Sequence, residues 1–176
     1  MKHTFITMAR TWLVALLPPV ALLAGAWALA APPDPEGAVN GSFTLAARGV
    51  QIYECRAKGE GFEWAFVAPE AELFDAAGRP AGTHGAGPHW RAADGSRIEG
   101  QVLSRQDAPV AGAIPWLLLR AQGGDGRGLF GRISHVQRLN TRDGVAPAAG
   151  CRRETLGQTA RVPYTADYRF LEQAPS

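Results

Sequence analysis

The sequence is poor in cysteine and histidine, and it lacks long helical patterns. It contains two cysteines and four histidines among 176 residues, so the clusters of such side chains that usually bind zinc are missing. No G-x-S-x-G element marks a nucleophilic serine. Beyond the apolar start of the chain no apolar stripe persists at helical spacing, and 21 glycines and 13 prolines disfavour long helices. These absences predict a domain with no bound metal and no cofactor.

Residues 1–30 have the composition of a secretory signal peptide. Lys2 and Arg10 give a basic start, and the apolar stretch that follows ends in Ala28-Leu29-Ala30, the small-x-small pattern that a signal peptidase accepts. A retained membrane anchor is the alternative, because the uncharged stretch approaches the ~20 residues that span a bilayer. Pro18-Pro19 interrupts the stretch. We therefore predict cleavage after Ala30, a periplasmic or secreted location, and no stable membrane span after cleavage.

Cleavage would change the net charge of the chain. The full sequence has eighteen Lys and Arg residues against sixteen Asp and Glu residues, and Lys2 and Arg10 would leave with the signal. The mature chain would be neutral, with arginines scattered rather than clustered. Neutrality removes the electrostatic attraction that nucleic-acid binding depends on. We expect no nucleic-acid partner, and a solvated surface position for most arginines.

The two cysteines, Cys55 and Cys151, both lie in the mature chain. An even number of cysteines in an exported chain favours a disulfide over a metal or redox pair. Two separate buried thiols are the alternative. A bond closing so large a loop would stabilise the fold by about 4–5 kcal/mol in the chain-entropy model.

The mature chain reads as a leader followed by one domain. Residues 31–41 are rich in proline and small residues and predict a flexible leader, and residues 42–176 then form a single β-rich domain. Gly49–Cys55 and Phe62–Val67 alternate apolar and polar residues, which is typical of half-buried strands. Trp116–Arg120 is apolar at consecutive positions and predicts a central strand that is covered on both faces. Asp94-Gly95 predicts a hairpin turn.

Short strands at this spacing predict an all-β fold. The expected architecture is a single compact β-sandwich or small β-barrel of short antiparallel strands, with few or no helices. One short helix at Pro69–Phe74 stays open, because proline suits the first turn of a helix.

Two motifs resemble known binding signatures but lack their context. Gly126–Gly131 fits G-x-G-x-x-G, yet the residues after it alternate like a strand and do not open a helix. We predict a glycine-rich loop between strands. His84-x4-His89 has a spacing seen in metal sites, but no second ligand pair accompanies it. Residues five apart on a strand also face opposite sides, so we predict no metal site.

The segment Gly82–Trp90 is the most unusual stretch of the chain. Its glycines and proline predict a loop that could present His84 and Trp90 to a ligand, with the rings as a stacking surface. Core packing of Trp90 is the alternative. Together with the turn at Asn140-Thr141, these residues form the candidate ligand-binding site: His84, Trp90, Asn140 and Thr141.

Several short motifs occur together between Gly49 and Leu171, and in combination they resemble one family. That family comprises exported bacterial and fungal proteins known as domain of unknown function 3455. The resemblance implies one exported domain with both cysteines as recurring features, and it implies no catalytic residue. The motifs are Gln51-Ile52-Tyr53-x-Cys55, Trp64-x-Phe66, Pro69-x-Ala71-x-Leu73, His84-x-x-Gly87-Pro88-x-Trp90, Asp94-Gly95-Ser96, Trp116-Leu117-Leu118, Arg138-Leu139-Asn140-Thr141, Gly150-Cys151 and Val162-Pro163-Tyr164-x-Ala166-x-Tyr168-x-Phe170.

Two functions are compatible with these features. The first is a non-catalytic envelope-associated or extracellular domain that binds a carbohydrate or another small polar ligand. The second is a small-molecule hydrolase that uses His84 with a nearby carboxylate, which requires His84 in a cleft within hydrogen-bond reach of Asp or Glu.

Overall fold

A computed structural model describes residues 33–35 and 39–173, and these residues form eight antiparallel strands. The predicted signal, residues 1–30, lies outside the described residues. One 3-10 turn, Arg153–Thr155, precedes the last strand. The described part of the chain contains no helix long and apolar enough to cross a membrane. The strands are β1 (Val39–Lys58), β2 (Gly61–Phe74), β3 (Pro80–Gly85), β4 (His89–Ala92), β5 (Arg97–Gln106), β6 (Trp116–Gln122), β7 (Ile133–Asp143) and β8 (Thr159–Gln173).

The strands form one closed barrel in chain order. Each strand pairs with the next, and β8 returns to pair with β1 along almost its whole length, with Ala47 opposite Ala166 and Gly49 opposite Tyr164. The predicted all-β class is therefore confirmed, in its barrel form. β1 begins at Val39, so residues 39–41 of the segment predicted as leader belong to the first strand.

Most predicted elements match the observed strands, and two differ. Trp116–Leu119 is buried on both faces of the sheet, as its uninterrupted apolar pattern predicts. The helix considered for Pro69–Phe74 is wrong, because this segment is the second half of β2. The segment Gly82–Trp90, predicted as a loop, contributes to β3 and β4, and only residues 86–88 form the connecting turn.

One end of the barrel is sealed by aromatic side chains, and we call it the closed end. The loop that holds the G-x-G-x-x-G sequence connects β6 and β7, as predicted, and carries Phe130 into the barrel with no exposed surface. The Phe130 ring lies 4.7 Å from the ring of Phe170 and 6.3 Å from that of Phe43, measured between centroids. The turn after β4 anchors this loop, because the Leu129 amide donates to Oδ2 of Asp94 and the Phe130 amide to Oγ of Ser96.

The opposite end is crossed by the segment between β7 and β8. The predicted disulfide is confirmed, and it joins Cys55 of β1 to Cys151 in this segment. Two hydrogen bonds add to this attachment. Tyr53 donates its hydroxyl to the carbonyl of Gly144 at 2.6 Å, and Trp64 donates its indole N–H to the carbonyl of Ala149 at 2.9 Å.

The barrel wall is shortest at β3 and β4. These strands have six and four residues, whereas β2 has fourteen and β5 has ten. β2 pairs with β3 only over Ala71–Phe74, and β5 pairs with β4 only over Arg97–Glu99. Among the described strands, the rest of β2 and β5 therefore has no partner on this side. We call this gap above the β3–β4 turn the notch.

Candidate functional site

The structure brings His84 and Trp90 together inside the barrel. His84 on β3 is directly opposite Trp90 on β4, and directly opposite residues of an antiparallel pair carry their side chains on the same face. Their ring centroids lie 4.7 Å apart with planes inclined by 13°. Tyr168 packs against both rings, 4.8 Å from His84 and 5.4 Å from Trp90. Both predicted site residues are buried.

The surroundings of His84 keep its imidazole neutral. Its Nδ1 lies 2.9 Å from the carbonyl oxygen of His89, so the neutral ring donates its N–H there. Burial, with a smaller effect of the nearby Arg138 guanidinium, lowers the pKa of His84 to about 3 against the opposing effect of the hydrogen bond to His89. The partner of this ring is thus a backbone carbonyl, and not the carboxylate that the hydrolase hypothesis requires.

His84 also borders a depression of about 420 Å³ on the outer surface of β1, β2 and β3. Both acidic and basic side chains line this depression, and Arg161 and Glu70 pair there at 2.9 Å. Glu70 and Glu72 line it, but neither forms a hydrogen bond with His84 among the described contacts.

Asn140 and Thr141 lie on β7 and have partners of their own. Thr141 is buried and donates its hydroxyl to the carbonyl of Ile114 at 2.6 Å. Asn140 adopts a left-handed backbone conformation, with φ of 50°, and donates its amide N–H to Asp167. Neither residue contacts the His84–Trp90 pair through a described hydrogen bond or ring contact.

The sequence interpretation missed Arg138, which is the most unusual side chain of the interior. Its exposed fraction is 8%, although arginines are rarely buried without a partner. Nε and Nη2 donate to one acceptor, the carbonyl oxygen of Pro115, at 3.0 and 2.8 Å. Within residues 33–35 and 39–173 no carboxylate forms an ion pair with it: the described ion pairs involve other cations. A positive charge is therefore held in the barrel against a neutral oxygen.

Three tyrosines surround this charge. Tyr168 is directly opposite Arg138 in the sheet, and its hydroxyl lies 3.4 Å from that of Tyr164. Burial raises the pKa of Tyr53, Tyr164 and Tyr168, and in each case Arg138 opposes the rise. The three hydroxyls stay protonated at neutral pH, so they can donate as well as accept hydrogen bonds.

Two buried side-chain nitrogens in this interior have no hydrogen-bond partner among residues 33–35 and 39–173. They are Nε1 of Trp90 and Nε2 of Gln51, the latter beside the Tyr164 hydroxyl but outside normal hydrogen-bond geometry. Both side chains are almost fully buried. A buried donor without a partner costs about 1–3 kcal/mol, so these two donors make the interior receptive to a polar group.

At the notch, side chains that face inward are exposed to solvent. Phe66 is directly opposite Tyr53 and is 53% exposed, and Val102 is directly opposite the core residue Leu119 and is 50% exposed. Arg105, opposite Leu117 on the same inner face, is also exposed. The notch leaves an opening at the end of the barrel opposite the closed end. We call this end, with its rim of Phe66, Val102 and Arg105, the open end of the barrel.

A signal for these residues is present in the sequence. Gln51 and Tyr53 alternate on β1, and Tyr164 and Tyr168 do so on β8, so period-two alternation assigns them to one face. Arg138 has no such mark, because an arginine in a half-polar strand is ordinarily a surface residue. Its burial depends on the closure of the barrel.

Fold and site together define a class: an eight-stranded antiparallel barrel with one sealed aromatic end and one open end lined by arginine and tyrosine. A search of curated proteins finds no match. The family described as protein of unknown function DUF3455 matches residues 35–172, and the chain belongs to this family.

Proposed function

We propose that this protein is an exported, non-catalytic domain that binds a small polar organic ligand through the open end of its barrel. The observation that carries the proposal is the exposure of Phe66 and Val102 on the inner face of the barrel. Inward-facing apolar side chains are normally buried, and an eight-stranded barrel has an interior wide enough for side chains or one small ligand.

The polar interior beyond this rim supports binding. Arg138, the Tyr164–Tyr168 hydroxyl pair and the Gln51 amide supply hydrogen-bond donors at the inner end of the site. Sites for small molecules combine apolar walls with a few converging polar groups of this kind. A carbohydrate or another small polar molecule fits this combination.

Of the four residues predicted from sequence, His84, Trp90 and Thr141 are buried and enter the proposal as its inner wall, whereas Asn140 is exposed. His84 and Trp90 pack against Tyr168 and thereby hold its ring. Thr141 donates to the carbonyl of Ile114, one residue before the Pro115 carbonyl that accepts from Arg138. Asn140 extends the same strand. These residues would position the groups that contact a ligand.

Export and the absence of catalysis rest on separate arguments. The Cys55–Cys151 disulfide is typical of an oxidising compartment, and it accords with the predicted signal. For catalysis, His84 is a poor general base, because its pKa of about 3 lies far from neutral pH. Its hydrogen bond to His89 also occupies one ring nitrogen.

The experiment is a ligand panel against purified mature protein. The panel contains monosaccharides, disaccharides, and aromatic and alkyl carboxylates with their amides, each at about 1 mM, where a binding free energy of about −4 kcal/mol is detectable. Thermal shift and tryptophan fluorescence report binding. We expect Phe66→Ala to weaken the affinity on the order of tenfold, because it removes an apolar contact at the rim.

The matched control is Leu129→Ala, which removes an exposed apolar side chain from the closed end. This variant is expected to bind as the wild type does. The proposal is refuted if no compound of the panel binds, or if both variants lose affinity equally.

A further inference from the structure

We infer that the ligand is an organic anion, with a carboxylate or similar oxyanion held by Arg138 and Arg105 and an apolar body against Phe66 and Val102. This inference rests on the proposed function and narrows it to one class of ligand.

The first support is the charge of Arg138, which has no acidic partner in the part of the chain that the structure describes. Removing a guanidinium from water carries a large desolvation cost, which a carboxylate or phosphate partner ordinarily offsets. The carbonyl of Pro115 accepts two of the five N–H groups, and a carbonyl supplies no negative charge. A planar guanidinium is suited to a bidentate contact with an oxyanion, so a ligand anion would supply the missing counter-charge.

The second support is the position of Arg105. Arg105 and Arg138 are both directly opposite Leu117, one from β5 and the other from β7. The two guanidinium-bearing side chains therefore belong to the same inner face, on either side of β6. Both act on the hydroxyl of Tyr53, since each lowers its pKa against the effect of burial. Their positive potentials overlap at the open end, where a ligand would enter.

The third support is the contrast with the cations of the outer surface. Arg56, Lys58 and Arg161 lie on the neighbouring strands and pair with glutamates at 2.6–3.0 Å. Arg105 and Arg138 form no such pair within the described part of the chain. Glu54 of β1 and Glu63 of β2 lie on the outer face and are engaged in these outer pairs.

The fourth support is the apolar part of the rim. Phe66 and Val102 are each about half exposed on the inner face, in the stretches of β2 and β5 that border the notch. A sugar alone would leave these side chains without an apolar partner. An amphiphilic anion satisfies both halves of the site, with its charged group towards Arg138 and its hydrocarbon part towards Phe66.

The test compares two matched probes, 4-phenylbutyrate and its neutral amide 4-phenylbutanamide. We expect the wild type to bind the carboxylate at least about tenfold more tightly than the amide, as a charge-assisted contact predicts. Added salt weakens the binding of the carboxylate but not that of the amide. Isothermal titration at two salt concentrations measures both effects.

Three variants locate the effect. Arg105→Gln, at the exposed rim, weakens carboxylate binding roughly two- to fivefold, and Arg138→Gln weakens it at least about tenfold. Both variants weaken amide binding less than carboxylate binding, because the neutral amide loses a hydrogen bond but no charge–charge attraction. Arg120→Gln is the matched control, because Arg120 is exposed on the neighbouring strand β6 and faces outward. Its carboxylate affinity is expected to equal that of the wild type. Should Arg138→Gln fail to fold, Arg105→Gln and the salt dependence still decide whether the ligand is an organic anion.

The outcomes separate this inference from the function on which it rests. If the amide binds as tightly as the carboxylate and Phe66→Ala abolishes both, the open end binds ligands but the anion inference is wrong. If Arg120→Gln reduces carboxylate affinity as much as Arg105→Gln, the effect comes from net charge and the inference is again wrong. If neither probe binds, the inference fails, and the outcome of the ligand panel decides the proposed function.

Discussion

His84 makes the stability of the folded chain depend on pH, and the size of the effect follows from its burial. The folded-state pKa of His84 is about 3, against an ordinary value of 6.5. As the pH falls below 6.5, the unfolded chain takes up a proton at this ring while the folded chain does not. The proton stabilises the unfolded state, so the free energy of unfolding decreases from about pH 6.5 down to about pH 3.

The expected change is large enough to measure at moderate pH. With these two pKa values, the linkage relation gives a loss of about 2 kcal/mol between pH 8 and pH 5. The slope approaches about 1.4 kcal/mol per pH unit near pH 5, where the unfolded chain binds almost one proton more than the folded chain. His84 is only 4% exposed, so solvent screening reduces this value little.

Between pH 8 and pH 5 the stability change due to His84 can be measured without a contribution from the carboxylates discussed here. The pKa values of Asp75, Asp94 and Asp125 are lowered by hydrogen bonds, chiefly to backbone amides or to neighbouring side chains. Their contribution to stability is therefore lost only at lower pH. His135 acts in the same direction as His84, because burial and then Arg120 lower its pKa.

The assay is urea unfolding of wild type, His84→Phe and His135→Gln at pH 8 and pH 5. His84→Phe keeps a ring against Trp90 but cannot be protonated, so we expect it to lose most of the pH dependence. His135→Gln should keep the larger part of the pH dependence, because the His135 ring that it removes is less buried than that of His84. The reasoning is refuted if His84→Phe loses as much stability as the wild type over this interval, or if the imidazole of His84 titrates above pH 5 in nuclear magnetic resonance spectra.

Two further predictions concern the two ends of the barrel. Replacing both Cys55 and Cys151 by serine should lower the free energy of unfolding by up to about 4–5 kcal/mol, as the sequence separation of 96 predicts, and a loss below about 1 kcal/mol in urea unfolding would contradict this chain-entropy estimate. Phe130→Ala should cost about 3–5 kcal/mol, because the side chain is fully buried against Phe43 and Phe170. Its neighbour Leu129 is the control, since truncation of an exposed side chain costs about 0.5 kcal/mol or less, and equal losses would mean that Phe130 does not seal the closed end.

The strands were predictable from local pattern, whereas their closure into a barrel was not. Alternation in Gly49–Cys55 and the apolar run at Trp116 identify β1 and β6 directly. The pairing of β1 with β8 joins residues more than a hundred positions apart, and no local signal distinguishes it from a sandwich. The helix considered at Pro69 failed for a physical reason. β3 lies beside β2 only from Ala71 onward, so the missing N–H of Pro69 costs no hydrogen bond to that strand.

The candidate site was predicted in part. His84 and Trp90 do act as a pair, but they pair across two strands in the interior, because the glycine-rich segment forms a tight turn instead of an extended loop. Arg138 could not be found by sequence reasoning. Its pattern is that of a surface arginine, and only the curvature of a closed sheet turns it inward towards Tyr168. The residues of the resemblance include Gln51, Tyr53 and Arg138 without indicating that they meet.

The two ends of this barrel differ in a way that stability alone does not explain. The closed end uses phenylalanine rings around Phe130, and within residues 33–35 and 39–173 no buried charged side chain accompanies them. The open end holds a guanidinium and three hydroxyls, and it exposes apolar side chains on its inner face. Apolar residues of similar volume commonly serve stability as well as a buried charged group or better. The closed end shows that aromatic rings can seal this barrel, so stability alone does not require a polar lining at the other end. The polar lining and the notch above β3 and β4 therefore support the proposal that a ligand binds at this end.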